Sequence, residues 1–404
     1  MHFSIPVTEE LLDAFGGRYV LYSVYLEGFL LCKVRYSQLH RWDEQLRRVF
    51  GSSLPLFPPK FYLAMTKSMT AERRLQLEQY LQNVAVTPHI ASSEIFIGFL
   101  KKLQLDTFRI LTEKTSLNVY LANGRKIAVD IQTSDTAERV LEVVFYQLEI
   151  SRDLAGYFSL FVIQDGSNGD FSVMKRVVDF ELPYVTLWSM KAEQYKLGIR
   201  KWYMNPSLDK TLMNCRAAVN LIYIQFLELM QEVQHYGYLH LSPCICDYPE
   251  PNCFVRVYVG NEEISCCITL PSNKVEEVSF NINRMRCWQV SFLGSDLGGG
   301  QKLELKFEYH EFDTWRWITI YTEQAFLLSS CLRKILSEQL MPTKGDLEMQ
   351  IEVPVLDSVK KSSKQQRKFS GDLQQITTSR MTSENQILRK GKDKVFAEIK
   401  EEDL

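Results

Sequence analysis

Residues that favour strands crowd Tyr19 to Tyr25 and Phe29 to Tyr36, with turn chemistry at Glu27-Gly28 between them, so the chain is predicted to begin with a strand hairpin. Leu39 to Phe50 then shows helical spacing. An apolar, proline-stiffened loop, Leu54-Pro55-Leu56-Phe57-Pro58-Pro59-Lys60, follows it, and Arg73 opens a second helical run that reaches Tyr80-Leu81. Ser92 to Leu105 reads as a closing helix with Ile95, Phe96, Phe99 and Leu100 on its core side. These elements make residues 1–108 a first α+β unit.

After a short linker, Thr107 to Thr115, the pattern changes to alternation at Leu117 to Leu121 and Ile127 to Ile131, joined by Asn123-Gly124, a type I′ hairpin signal. A helix over Thr136 to Leu148 and strands at Tyr157 to Ile163, Phe171 to Met174 and Tyr195 to Ile199 complete a second unit, 116–200. A hairpin followed by a helix is how a ubiquitin-like fold begins. Asp209 to Gln234 reads as one helix, apolar on nearly every side, and such a helix has to be buried all round. Few residues remain in 201–235 to bury it. From Tyr236 strands dominate: Phe254 to Val259, Ile264 to Leu270, Val278 to Ile282, Cys287 to Leu293, Leu303 to Tyr309 and Trp315 to Tyr321. Glu323 to Leu340 closes residues 236–341 as a helix, and the set reads as a PH/PTB-like β-sandwich.

That sandwich implies a groove between an edge strand and the closing helix, where a peptide can add as a further strand. Trp315 to Tyr321 is the strand expected at the edge, with Trp317, Ile318 and Ile320 lining the groove and Trp317 as anchor; Trp317 as plain core is equally compatible with the residue type. Residues 342–404 turn polar and basic (Lys360-Lys361, Lys364, Arg367, Lys368) and read as a largely disordered tail. Its last ten residues hold two apolar anchors, Phe396 and Ile399, then acids, then Asp403 and a terminal Leu404, a short linear motif whose carboxylate backbone amides can capture.

Composition narrows the function. The chain has 404 residues with a net charge of −2, which excludes bulk nucleic-acid binding. Nine scattered cysteines fit reduced thiols better than a disulfide frame. The N-terminus lacks the basic and apolar regions of a signal peptide, and no apolar run approaches the ~20 residues that span a bilayer, so membrane contact is expected to be peripheral.

The charge is unevenly spread. From Lys33 to Tyr80 nine Lys/Arg stand against four Asp/Glu. Arginine offers a planar fork for phosphate, lysine a compact charge, and Tyr36 beside Arg35 a flat face for a ring. Basic residues next to exposed apolar ones suit a membrane surface.

An Arg-Tyr pair at a strand end, a Pro-Pro-x-Lys-like loop and a later Arg followed by Leu and Tyr at helical spacing resemble a PX (phox-homology) domain. The resemblance implies phosphatidylinositol 3-phosphate binding by Arg35, Tyr36, Ser37, Lys60 and Arg73: Arg35 on the 3-phosphate, Tyr36 against the inositol ring, Lys60 on the 1-phosphate and Arg73 on the 4- and 5-hydroxyls. Residues 116–341 resemble a FERM domain whose second, helical lobe is shortened to 201–235, about a third of an ordinary ~100-residue lobe, with the join near Gln225-Phe226. A PX domain, a FERM domain and an acidic Asp-Leu terminus in one chain are similar to the PX-FERM sorting nexins. That family implies a cargo adaptor without enzymatic activity or cofactor, on the cytoplasmic face of early endosomes. It implies Asn-Pro-x-Tyr or Asn-x-x-Tyr motifs of receptor tails as cargo, and a retriever-type recycling complex as partner of the C-terminal motif.

Other classes fit less well. His240, Cys244, Cys246 and Cys253 cluster, but one Cys-x-Cys pair is a weak zinc signal. Gly-x-Ser-x-Gly, His-Glu-x-x-His and a Walker loop are all missing, and Gly298-Gly299-Gly300 reads as a flexible hairpin loop. A FERM-type membrane-cytoskeleton linker remains as an alternative, and the N-terminal lipid module argues against it.

Overall fold

The computed structural model describes residues 1–404 apart from Phe15 and residues 61–65, 166–170, 191–193, 229–234, 236, 296–300, 341–393 and 398–404. It forms two units, Met1–Ser242 and Pro243–Leu404. The fold class is the expected multidomain α+β.

The first unit opens with an antiparallel meander of β1 (Phe3–Leu12), β2 (Arg18–Leu26) and β3 (Phe29–Arg35). The first of these strands was not expected; Phe3 and Ile5 alternate into the core, and the rest of the strand is held by pairing with β2. Four helices follow, α1 (Tyr36–Phe50), α2 (Lys67–Val86), α3 (Pro88–Ala91) and α4 (Glu94–Phe108). The first helix begins three residues earlier than its spacing implies, because the Gln38 carboxamide reaches back to the Arg35 N–H at 2.9 Å and satisfies a donor at the helix start. The second begins at Lys67, where the Thr66 hydroxyl accepts the Met69 N–H at 3.2 Å. Arg73 therefore lies in the body of α2, not at its start.

In the same unit, β4 (Lys114–Tyr120), β5 (Lys126–Gln132), α5 (Ala137–Gln147), β6 (Phe158–Asp165), β7 (Phe171–Val177), α6 (Pro183–Met190) and β8 (Tyr195–Lys201) form a sheet of order β5-β4-β8-β6-β7, with β4 and β8 parallel. This is a ubiquitin-like arrangement. The first hairpin closes differently from the expected type I′ turn: the Gly124 N–H donates to Leu121 O at 3.1 Å, and Gly124 has φ of 78° while Asn123 stays outside the left-handed region.

The long apolar helix is interrupted. α7 (Asp209–Leu212) ends before Cys215, and α8 (Arg216–Glu228) runs unbroken through Gln225-Phe226. Ala218 and Leu221 are buried in the core of the ubiquitin-like lobe, Ile222 and Ile224 pack against that core, and the Gln225 carboxamide oxygen accepts the Lys201 N–H at 3.0 Å. One face of α8 is thus covered by the lobe before it, whereas Tyr223 is exposed. β9 (Leu239–His240) is the last strand of this unit.

The second unit contains β10 (Cys244–Cys246), β11 (Cys253–Gly260), β12 (Glu263–Thr269), β13 (Val275–Asn281), β14 (Met285–Ser295), β15 (Gln301–Glu311), β16 (Thr314–Tyr321), α9 (Ala325–Gln339) and β17 (Lys394–Ala397). Its strand order is β13-β12-β11-β10-β16-β15-β14-β17. The consecutive strands β13 and β14 lie far apart in that order, as in a sheet bent into a sandwich.

Candidate functional site

Two sites emerge, one in each unit. The first is at the N-terminus of α1. Arg35, Tyr36 and Ser37 stand where the helix begins, so the positive end of the helix dipole and the guanidinium of Arg35 add positive potential at one point. The Tyr36 hydroxyl donates to Pro58 O at 2.8 Å. Arg73 donates to Pro59 O at 3.2 Å and lies over the Tyr36 ring, 4.2 Å from its centroid. Lys60, exposed, follows directly on these two prolines. The structure thus brings Tyr36, Arg73 and the Pro58-Pro59 loop into contact and leaves Arg35 and Lys60 flanking them in sequence. Arg35 itself stacks on Tyr19, with 3.3 Å between its guanidinium carbon and the ring centroid, a partner the sequence pattern did not reveal. Arg73 is only 6% exposed. Burial pushes the hydroxyl of neighbouring Tyr22 up from its ordinary pKa, and the charge of Arg73 pulls against that rise. Leu56, at the crest of the loop, is 92% exposed.

The second site is the edge of the sandwich, and here the expectation for Trp317, Ile318 and Ile320 is overturned. β16 pairs with β15 along its whole length and with β10 through Ile320 and Tyr321, so it lies inside the sheet. Ile318 and Ile320 are each 1% exposed and belong to the core, while Trp317 points outward and is 44% exposed. The strand that runs beside α9 with an outer edge free of the body of the sheet is β14. Trp288 on β14 donates its indole N–H to Ser329 Oγ of α9 at 2.9 Å, which ties strand to helix. Along that edge β17 pairs antiparallel, with Trp288 opposite Ala397, Gln289 opposite Phe396, Val290 opposite Val395 and Ser291 opposite Lys394. Of the four residues expected to form the C-terminal motif, Phe396 therefore lies in a strand, and Ile399, Asp403 and Leu404 are outside the described residues. The reading of 342–404 as a largely disordered tail also falls almost wholly outside them, as does Gly298-Gly299-Gly300. The edge position was missed because periodicity identifies a strand but not its neighbours.

Among the described residues no group of three or more His, Cys, Asp or Glu is arranged to hold a metal. Cys246 and Cys253 face each other across two strands, and burial pushes the Cys244 thiol up to about 12 and the Cys246 thiol up to about 11. Also among the described residues, no helix is long and apolar enough to cross a membrane.

Comparison with known proteins gives three matches along the chain: the PX domain over residues 29–103, the F1 lobe of the sorting nexin 17/27/31 FERM domain over 115–204, and the sorting nexin 17 FERM C-terminal domain over 237–340. Human sorting nexin-31 is 51% identical over 443 residues, covering 100% of both chains. The chain belongs to the sorting nexin family. Sorting nexin-31 of Xenopus tropicalis is 48% identical over 87% of this chain and 91% of the relative, and human sorting nexin-17 is 39% identical over 85% and 83%. Sorting nexins are trafficking adaptors and not enzymes. In this sorting nexin, residues 205–236 fall between the two FERM matches. The alignment with the human relative is 443 residues long against 404 here, so at least 39 of its positions have no counterpart in this chain.

Proposed function

We propose that this sorting nexin is a peripheral adaptor of the early endosome whose first unit reads phosphatidylinositol 3-phosphate and whose second unit holds a receptor tail as an added strand. The contact of Tyr36 with Arg73 and the Pro58-Pro59 loop carries the lipid half. Arg35 takes the 3-phosphate at the helix N-terminus, assisted by Ser37, Lys60 takes the 1-phosphate, Tyr36 forms the ring wall and Arg73 binds the 4- and 5-hydroxyls. Leu56 enters the interface beside the headgroup. Flotation on vesicles with and without phosphatidylinositol 3-phosphate tests this half: Arg35→Ala is expected to abolish lipid-dependent flotation, and unchanged flotation would sink the assignment.

The cargo half rests on the edge of β14. An Asn-Pro-x-Tyr or Asn-x-x-Tyr tail would add where β17 now lies, using backbone hydrogen bonds for affinity and the β14–α9 groove for side chains. Cargo and the chain's own segment around Phe396 then compete, and Phe396, Ile399, Asp403 and Leu404 are the residues we assign to a retriever-type recycling complex. Anisotropy with a labelled Asn-Pro-x-Tyr peptide should show tighter binding to a chain ending at 390 than to the full chain. Equal binding would remove the competition. We assign the missing positions of the alignment to the second FERM lobe, which leaves PX, first and third lobes to carry both contacts.

A further inference from the structure

Opposite the phosphoinositide pocket, α1 carries a second cluster that the adaptor reading leaves unused. With 3.6 residues per turn, Tyr36, His40, Asp43 and Arg47 share one face. That face engages the lipid-site loop and α2: the Tyr36 hydroxyl donates to Pro58 O, Arg47 to Pro55 O, and the Tyr80 hydroxyl to Asp43. Arg41, Gln45 and Arg48 recur at the same spacing on the far side. Together with α4 they line a groove of about 680 Å³ whose walls include Trp42, Phe99 and Lys102. Trp42 is buried in the core at 1% exposed, and the half-buried Phe99 ring stacks on it at 4.7 Å with 13° between their planes, so Phe99 is fixed in place as the aromatic face beside exposed Val49.

Two independent features point to a ligand. The first is charge. Arg41, Arg48 and Lys102 face the groove with one carboxylate, Glu94, and among the described residues none of the three cations is held in an ion pair. The second is Gly98, in the middle of α4 on the groove wall. A glycine inside a helix is destabilising relative to alanine, and here a Cβ would meet nothing within 4 Å, so no packing neighbour requires it. Its effect is to keep the wall low enough for another backbone to approach.

We propose that this α1–α4 groove docks an acidic peptide segment of a partner protein, with an apolar side chain of that segment seated on Phe99 and Val49 and its carboxylates on Arg41, Arg48 and Lys102. A peptide is favoured over a lipid headgroup because the groove lies on the opposite side of α1 from the lipid pocket, so both can be occupied together. That step rests on the phosphoinositide reading; the groove and its charge do not.

The probe is a fluorescein-labelled helical peptide with Glu and Asp along one face and Leu along the other, titrated by anisotropy into the full chain. Wild type should bind saturably. Arg41→Glu combined with Arg48→Glu, and separately the groove-filling Gly98→Trp, should each weaken binding by about tenfold or more. Gly98→Ala should raise Tm and retain binding. If Gly98→Trp does not fold, the surface exchange Lys102→Glu carries the same expectation. Absence of binding, or equal binding to the charge-reversed chain, overturns the proposal. So does loss of flotation on phosphatidylinositol 3-phosphate vesicles by the charge-reversed chain, since the groove would then face the membrane. Failure of the lipid reading alone would appear as Arg35→Ala floating normally while peptide binding follows Arg41 and Arg48.

Discussion

The guanidinium carbon of Arg73 lies 4.2 Å from the centroid of the Tyr36 ring, and the same guanidinium holds the Pro59 carbonyl. Two residues that sequence analysis assigned to ligand recognition are therefore also joined to each other. A desolvated cation–π pair contributes about 2 kcal/mol, and loss of a hydrogen bond adds about 1 kcal/mol. Arg73→Ala is expected to cost about 2–3 kcal/mol of stability as well as lipid binding. Arg35→Ala, at a half-exposed position, should change stability by about 1 kcal/mol or less while abolishing binding. Thermal denaturation read beside flotation separates the two; equal destabilisation by both variants would refute the distinction.

Phe180, from the ubiquitin-like lobe, completes the core of the PX domain. It stacks on Phe3 with 6.3 Å between centroids and meets Phe96 edge-on at 5.4 Å, while the Gln104 carboxamide donates to Phe180 O and accepts the Leu182 N–H. Phe180→Ala is expected to cost about 3–5 kcal/mol. A fragment of residues 1–108 should melt below one of residues 1–204, and calorimetry of the pair checks it.

Lys175 and Glu181 form an ion pair 2.6 Å long, with side chains 3% and 2% exposed. The second oxygen of Glu181 accepts the Val178 N–H at 2.7 Å, so the carboxylate also shapes the turn that delivers Phe180. Lys175→Met leaves a buried charge without its partner and should cost about 3–5 kcal/mol in urea unfolding. Adding Glu181→Gln should recover part of that loss, because a carboxamide oxygen can still accept the Val178 N–H.

The buried thiols should be inert in the native state. Burial holds Cys32 and Cys244 at about 12, Cys246 at about 11 and Cys266 well above the ordinary value. Alkylation at neutral pH followed by mass spectrometry should leave these four unmodified, with half-buried Cys215 and Cys287 labelled first. The folded state binds these protons more tightly than the unfolded chain. Their contribution to stability is thus complete below the ordinary thiol pKa of 9.0 and is lost as pH rises toward about 12. A stability that rises across that interval would contradict the burial.

Local pattern was enough for much of this. Strand and helix periodicity, the presence though not the type of the turn at Asn123-Gly124, the Pro58-Pro59 loop and the Arg35-Tyr36 pair are all relationships between near neighbours in the chain, and backbone sterics and side-chain spacing decide them without reference to distant residues. From them the PX domain, the ubiquitin-like lobe and the sandwich with its closing helix could be read, and Tyr36, Arg73 and the Pro58-Pro59 loop, singled out together, meet in the fold. Strand order could not. Periodicity tells which side of a strand faces a core but nothing about which strand lies next to it, so Trp317 was assigned to an edge that β14 occupies. The same limit hid Phe180, which leaves its own lobe to fill a cavity in another, and the partnership of α8 with the ubiquitin-like core. Burial, edge position and the mating of lobes are set by which distant apolar surfaces exclude water from each other, and only the folded chain brings those surfaces together.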